Sequence, residues 1–209
     1  MKRTDFVELC AETAYVAEHN VLGINCGRMD PYACALGGIQ FIDCNIKNFH
    51  WQRLASLLNL SIVIGDSSKK KDTERILGWL KNRYKEEDPI LLQGIKEISK
   101  IVSEAYLILS QEVIDSIKLG KLMDRNQYFI QNNLLTSGDC PISPSNLDEL
   151  IHAARKAGAI GAKVTGSGGG GCMIALCNPK RVDNVRKAIS DSGGAPIKVV
   201  NSDAGILSM

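Results

Sequence analysis

The segment Gly166-Ser167-Gly168-Gly169-Gly170-Gly171 places five glycines in six positions. A run this dense cannot be the interior of a helix or strand. It lets the backbone take positive φ and approach another group with no side chain between them. Ala162-Lys163-Val164-Thr165 before it is strand-like, and Cys172 to Cys177 after it is an apolar strand. The chain therefore turns between two strands here. Successive N–H groups in such a turn can point inward as an anion-binding nest. A hairpin drawn tight by glycine accounts for the same residues equally well. The segment is not a Walker loop, because no Gly-Lys-Ser/Thr closes it. Nor is it a dinucleotide fingerprint, because a strand rather than a helix follows.

Around this turn the pattern alternates between the two regular periods. Phe6, Leu9, Cys10, Thr13, Ala14 and Ala17 recur at helical steps, which predicts a first helix with those residues on its inner face. A short helical turn is expected over 32–36, ended by Gly37-Gly38, with strands over 39–44 and 60–64. Helices are predicted over 73–84 and about 89–118, the latter with Ile95, Ile98, Val102, Ala105, Leu109 and Val113 in register. Gly120 is expected to interrupt before a further helix over 122–134. Ser145, with Asp148 three residues on, reads as a relaxed capping box. Leu147, Leu150, Ile151 and Ala154 form the inner face of that helix, and Gly158 suits its end. Asn178-Pro179 starts a helix burying Val182, Val185 and Ile189, and a last strand runs from 196 to 200. This order describes an α+β sandwich, an antiparallel sheet covered by helices.

Composition excludes several classes. The 209 residues include 25 basic and 23 acidic side chains, a net charge of +2. That balance argues against a nucleic-acid footprint. Lys69-Lys70-Lys71 is short and reads as a solvated loop or helix start rather than a polyanion site. No apolar run approaches the ~20 residues of a membrane span, and the first residues lack a signal-peptide pattern. A cytoplasmic protein is expected. The seven cysteines, Cys10, Cys26, Cys34, Cys44, Cys140, Cys172 and Cys177, contain no Cys-x-x-Cys pair. They read as buried free thiols, with no metal site.

Asp30 lies in a Gly-x-x-Asp turn before Pro31. A rigidly held carboxylate there can act as a general base, or position a nucleophile for phosphoryl transfer. A turn aspartate bonding its own backbone is the simpler reading of the residue type.

The longest specific pattern, Gly161-Ala162-Lys163-Val164-Thr165-Gly166-Ser167-Gly168-Gly169-Gly170-Gly171-Cys172, resembles the third conserved motif of the GHMP small-molecule kinases in its mevalonate kinase version. Residues 17–33, with Cys26-Gly27-Arg28-Met29-Asp30, resemble the region holding the family's catalytic aspartate, in a form similar to galactokinases, as is Phe41-Ile42-Asp43-Cys44. Asp66 to Thr73 and Gly120-Lys121-Leu122-Met123 lean toward mevalonate kinase. The resemblance implies the end of an N-terminal catalytic domain over 1–55 and a ferredoxin-like C-terminal α/β sandwich over 56–209. It implies Asp30 as the catalytic carboxylate, with Gly27, Asp30 and Thr73 toward the substrate. Gly166, Ser167, Gly168, Gly169, Gly170 and Gly171 would lie beside ATP and the transferring phosphate. His19, His50 and His152 match no motif and read as structural or exposed.

ATP and Mg2+ are thus implied cofactors, and a small-molecule alcohol, mevalonate or else a sugar such as galactose, the implied substrate. The family's Pro-x-x-x-Gly-Leu-x-Ser-Ser-Ala-type phosphate loop is not found in these residues. The expectation is that this polypeptide alone is inactive or nearly so. It would be a truncation, half of a split kinase or a relic, with a non-catalytic binding or assembly module as the alternative function; a separate chain supplying the N-terminal motifs, or self-association, is the implied partner.

Overall fold

Buried apolar side chains gather into two separate cores, one in each of two compact units. The computed structural model describes residues 3–24, 26–45, 47–54, 60–71, 73–134, 142–197, 199 and 205. The first unit comprises Met1–Asn59, Leu109–Glu112 and Val200–Met209; the second comprises Leu60–Ile108 and Val113–Val199.

In the first unit, helix α1 (Arg3–Val16) runs on into a wide π-type turn over Ala17–Val21. Helix α2 (Met29–Leu36) follows and ends at Gly37, whose φ of 67° suits a residue without Cβ. Strands β1 (Gln40–Asp43) and β2 (His50–Arg53) pair antiparallel. The core is Val7, Ala11, Tyr32 and Ala35, with Ile42, Phe49 and Trp51 packed on it. This corrects the expected inner face of α1, since Leu9 is 55% exposed. The helix meets α2 through Val7 and Ala11 instead, where the small Ala11 and Ala35 are both buried. Strand β2 was not foreseen, because His50-Trp51-Gln52-Arg53 shows no apolar alternation.

The second unit is built on a four-stranded antiparallel sheet of order β4-β5-β3-β6, formed by Ser61–Asp66 (β3), Ala159–Val164 (β4), Cys172–Cys177 (β5) and Ala195–Ile197 (β6). Helices are α3 (Thr73–Lys85), α4 (Pro89–Leu109), α5 (Ser116–Phe129), α6 (Ser145–Lys156) and α7 (Val182–Asp191). Val63, Ala162, Val164, Met173 and Ala175 share one core with Leu147, Leu150, Ile151 and Ala154 of α6 and Val185 and Ile189 of α7. The antiparallel sheet covered by helices is the α+β arrangement expected from the sequence.

Strand β4 lies at the sheet edge, and α5 covers it. The Ala162 N–H donates to Asp124 Oδ1 and the Val164 N–H to Gln127 Oε1, both at 2.9 Å. Arg155 donates to the Ala162 carbonyl at 2.8 Å. Side chains thereby take the backbone groups that would otherwise recruit another strand. The approach is close: a Cβ on Gly161 would stand 2.1 Å from the Gly120 carbonyl oxygen. Gly120 consequently sits inside α5 and does not interrupt it. The real interruption is at 110–115, where Asp115 caps α5 by accepting the Lys118 N–H. The buried face of α4 is Leu91, Gly94 and Ile101, while Ile95, Val102 and Val113 are exposed.

Two further expectations are corrected. Ser145 is the first residue of α6 rather than its cap; Pro144 occupies the cap position without a side-chain bond. The Asp148 carboxylate instead accepts from the Ser143 hydroxyl, from Gln131 at 2.7 Å and from Gln127 at 3.4 Å. Of the cysteines, Cys177 is buried, Cys34 and Cys44 are exposed, and Cys140 lies outside the described residues. Burial pushes the Cys177 thiol up to about 11. No described helix is long and apolar enough to cross a membrane.

Candidate functional site

All five glycines of the run 166–171 have positive φ: 69° at Gly166, 71° at Gly168, 75° at Gly169, 124° at Gly170 and 69° at Gly171. Side chains at these positions would strain the backbone. At Gly168 there is also no room, since a Cβ would stand 2.1 Å from the Ile142 carbonyl oxygen. The run links β4 to β5, and their pairing extends into it through the Thr165 N–H to the Cys172 carbonyl.

Three segments hold the loop. From the end of β3, the Ser67 N–H donates to the Gly171 carbonyl at 2.8 Å, and the Gly171 N–H donates to the Lys69 carbonyl at 3.2 Å. From the connector before α6, the Ile142 carbonyl accepts the Gly169 N–H at 2.7 Å. From the first residue of α3, Thr73 shares a hydroxyl–hydroxyl bond of 3.1 Å with Ser167. The connector is itself anchored: fully buried Gln127 donates to the Ser143 hydroxyl at 2.8 Å while its oxygen takes the Val164 N–H.

The N–H groups of Gly166, Ser167, Gly168 and Gly170 have no protein acceptor among the described residues. The Ser67 hydroxyl is buried and also has no partner among them. Unclaimed donors beside a loop free of side chains fit the oxygens of a phosphate. No group of three or more His, Cys, Asp or Glu among the described residues is arranged to hold a metal ion.

Thr73 and Ser167, both singled out in the sequence, are thus brought together. Two residues that sequence reasoning passed over also belong to this neighbourhood. Ser67 is one. Lys71 is the other: its stem passes 3.5 Å from where a Cβ on Gly171 would stand, and its ammonium 3.9 Å from one on Gly166. The three lysines 69–71 are exposed, as expected of a solvated loop, but their backbone lines the glycine run.

Asp30 and Gly27 belong to the first unit. Asp30 lies in the first turn of α2 and not in an isolated turn. It is exposed, and its carboxylate makes no hydrogen bond or ion pair among the described residues. The self-bonded turn aspartate is therefore not what the fold builds. Gly27 has open space around it, so no close approach dictates glycine there. Beside Asp30, Arg28 grips Glu12 through three bonds of 2.7–3.1 Å and lies 4.1 Å from the Tyr15 ring centre. That hydrogen-bonded guanidinium holds the Glu12 carboxyl below its ordinary range. Burial, with Glu12 alongside, pushes the Tyr32 hydroxyl up to about 12. His19 stacks on Tyr15, while His50 and His152 are exposed.

Residues 109–195 match the family model "GHMP kinases C terminal". The chain is 33% identical over 202 residues to the mevalonate kinase of Thermococcus onnurineus, covering 95% of this chain and 56% of that protein. It is 25% identical over 220 residues to the galactokinase of Clostridium acetobutylicum, covering 88% and 54%. The crystal structure of Methanococcus jannaschii mevalonate kinase superposes with a TM-score of 0.70 at 24% identity, over 91% of this chain and 55% of that one. The chain spans about half the length of the curated relatives it matches.

Proposed function

Because the chain belongs to the GHMP kinase superfamily, we propose that it serves ATP-dependent phosphorylation of a small-molecule hydroxyl, with mevalonate as the acceptor. The observation that carries this reading is the glycine run: five positive-φ glycines and four unclaimed N–H groups make a cradle for phosphate oxygens. The acceptor is inferred from relatives, since the similarity to a mevalonate kinase (33%) exceeds that to a galactokinase (25%).

In this reading ATP supplies the phosphoryl group. Asp30 accepts the proton of the acceptor hydroxyl, or holds that hydroxyl in line for attack. Among the described residues no side chain pairs with that carboxylate, which leaves it available for the task. The free N–H groups of Gly166, Ser167, Gly168 and Gly170 donate to phosphate oxygens, on which charge is spread as the new O–P bond forms and the bond to the leaving diphosphate breaks. Thr73 and Ser167 orient their hydroxyls at the same loop. No step is routed through a metal.

Turnover in this reading also uses hydrogen-bond donors that are not among these residues. On its own the chain is expected to bind ligands without appreciable catalysis. Thermal unfolding tests the acceptor. (R)-Mevalonate is expected to raise the melting temperature of the wild type with its concentration, whereas galactose is not. A shift by galactose alone would transfer the assignment to a sugar kinase.

A further inference from the structure

Lys71 is the cation that the glycine run carries with it. Its methylene stem lies along Gly171 and its ammonium is delivered to Gly166, at the two ends of the loop. Among the described residues no carboxylate lies within ion-pair distance of that ammonium, and no hydrogen bond engages it. Asp66, on the neighbouring strand end, accepts the Ser68 N–H at 2.9 Å and forms no ion pair with the ammonium. Two observations independent of the lysine point to an anion here. Among the described residues four loop N–H groups have no acceptor, and Ser67, 6% exposed, has a buried hydroxyl with no partner. All of these groups can donate; none brings a negative charge. A cluster whose members all donate is complementary to a hydrogen-bond acceptor.

We propose that Lys71 is a specificity-determining residue of this site, binding an anionic oxygen presented to Gly166–Gly171, from either a phosphate or the carboxylate of a hydroxy-acid acceptor. The proposal rests on the kinase reading for the loop but goes further, because it assigns the site a preference for charge. A neutral sugar would leave the ammonium without a counter-charge, whereas a polyphosphate or a hydroxy acid would not. Lys71 reaches the loop because the Lys69 carbonyl takes the Gly171 N–H, which pins the preceding backbone. Lys70 offers a control, being equally charged, one residue away and exposed, and nearest Gly170 through its backbone carbonyl rather than its side chain.

The test is a titration of the full chain, labelled with 15N-glycine, followed by the amide signals of the loop. The probes are tripolyphosphate, (R)-mevalonate and galactose, at constant ionic strength, on wild type, Lys71→Ala, Lys71→Arg and Lys70→Ala. The expected result is that tripolyphosphate, (R)-mevalonate or both move the loop glycines. Affinity for the active probe should weaken about tenfold in Lys71→Ala, be retained within about threefold in Lys71→Arg, and be unchanged in Lys70→Ala. Whichever probe loses affinity in Lys71→Ala identifies the source of the anion. If the loop responds and Lys71→Ala binds as tightly as wild type, the role of Lys71 is refuted while the phosphate reading of the loop stands. If neither anion moves the wild-type loop, the phosphate reading falls and Lys71 falls with it. A response to galactose alone also overturns the proposal.

Discussion

Lys163 stands on β4 just ahead of the glycine run, half-buried, its ammonium donating to the Val164 carbonyl at 2.6 Å. No carboxylate pairs with it among the described residues. Burial disfavours the charged form and lowers its pKa from 10.5 to about 8. Between those two values the unfolded chain binds more protons than the folded one. Stability therefore rises as pH increases from about 8 toward 10.5, and below pH 8 the fold bears the whole cost of burying the charge. Lys163→Met is expected to stabilise the chain at pH 7 by on the order of 1 kcal/mol and to flatten the rise between pH 8 and 10. Urea midpoints at pH 7, 8.5 and 10 measure both effects. An unchanged slope in the variant would show that some other group titrates.

At the scale of elements, the glycine contact between α5 and β4 governs how the edge of the sheet is closed. Gly161→Ala places a methyl 2.1 Å from a backbone oxygen, which no side-chain rotation relieves. It is expected to cost about 2 kcal/mol or more, read from urea unfolding. A cost near zero would mean that the helix can shift without losing the Asp124 and Gln127 bonds to β4. Gln127→Leu, which strands the Val164 N–H and removes a donor from the Ser143 hydroxyl and the Asp148 carboxylate, is expected to cost about 2–3 kcal/mol. The same elements show what the sequence makes legible. The strands either side of the glycine run stand out, expected over 162–165 and 172–177, although the first begins three residues earlier, at Ala159. Helix α6 stands out because Leu147, Leu150, Ile151 and Ala154 leave one face for the core. The faces of α1 and α4 do not, because apolar residues lie all around them and only tertiary packing selects Val7 and Ala11, or Leu91 and Ile101. Gly120 misleads for the same reason, since its purpose is a contact with a strand some forty residues away. The glycine run itself is plain in the sequence. Ser67 and Lys71 were not picked out, because Ser67 joins the loop through a backbone hydrogen bond and Lys71 through side-chain proximity, each across about a hundred residues of chain.

For the molecule as a whole, the first unit carries Asp30 in the first turn of α2 and the second carries the glycine loop. The fold of the second unit explains how that loop is held. The Gln127–Ser143–Asp148 cluster braces the connector, and the connector braces the loop through Ile142. The most direct measurement of the central claim is ADP release from ATP and (R)-mevalonate by this chain mixed with a polypeptide carrying the part of the Thermococcus onnurineus mevalonate kinase that the match leaves uncovered. The account predicts mevalonate-dependent release in the mixture, little from either polypeptide alone, and a loss of about 10²–10⁴-fold with Asp30→Asn. No release from the mixture, or release that survives Asp30→Asn undiminished, would contradict it.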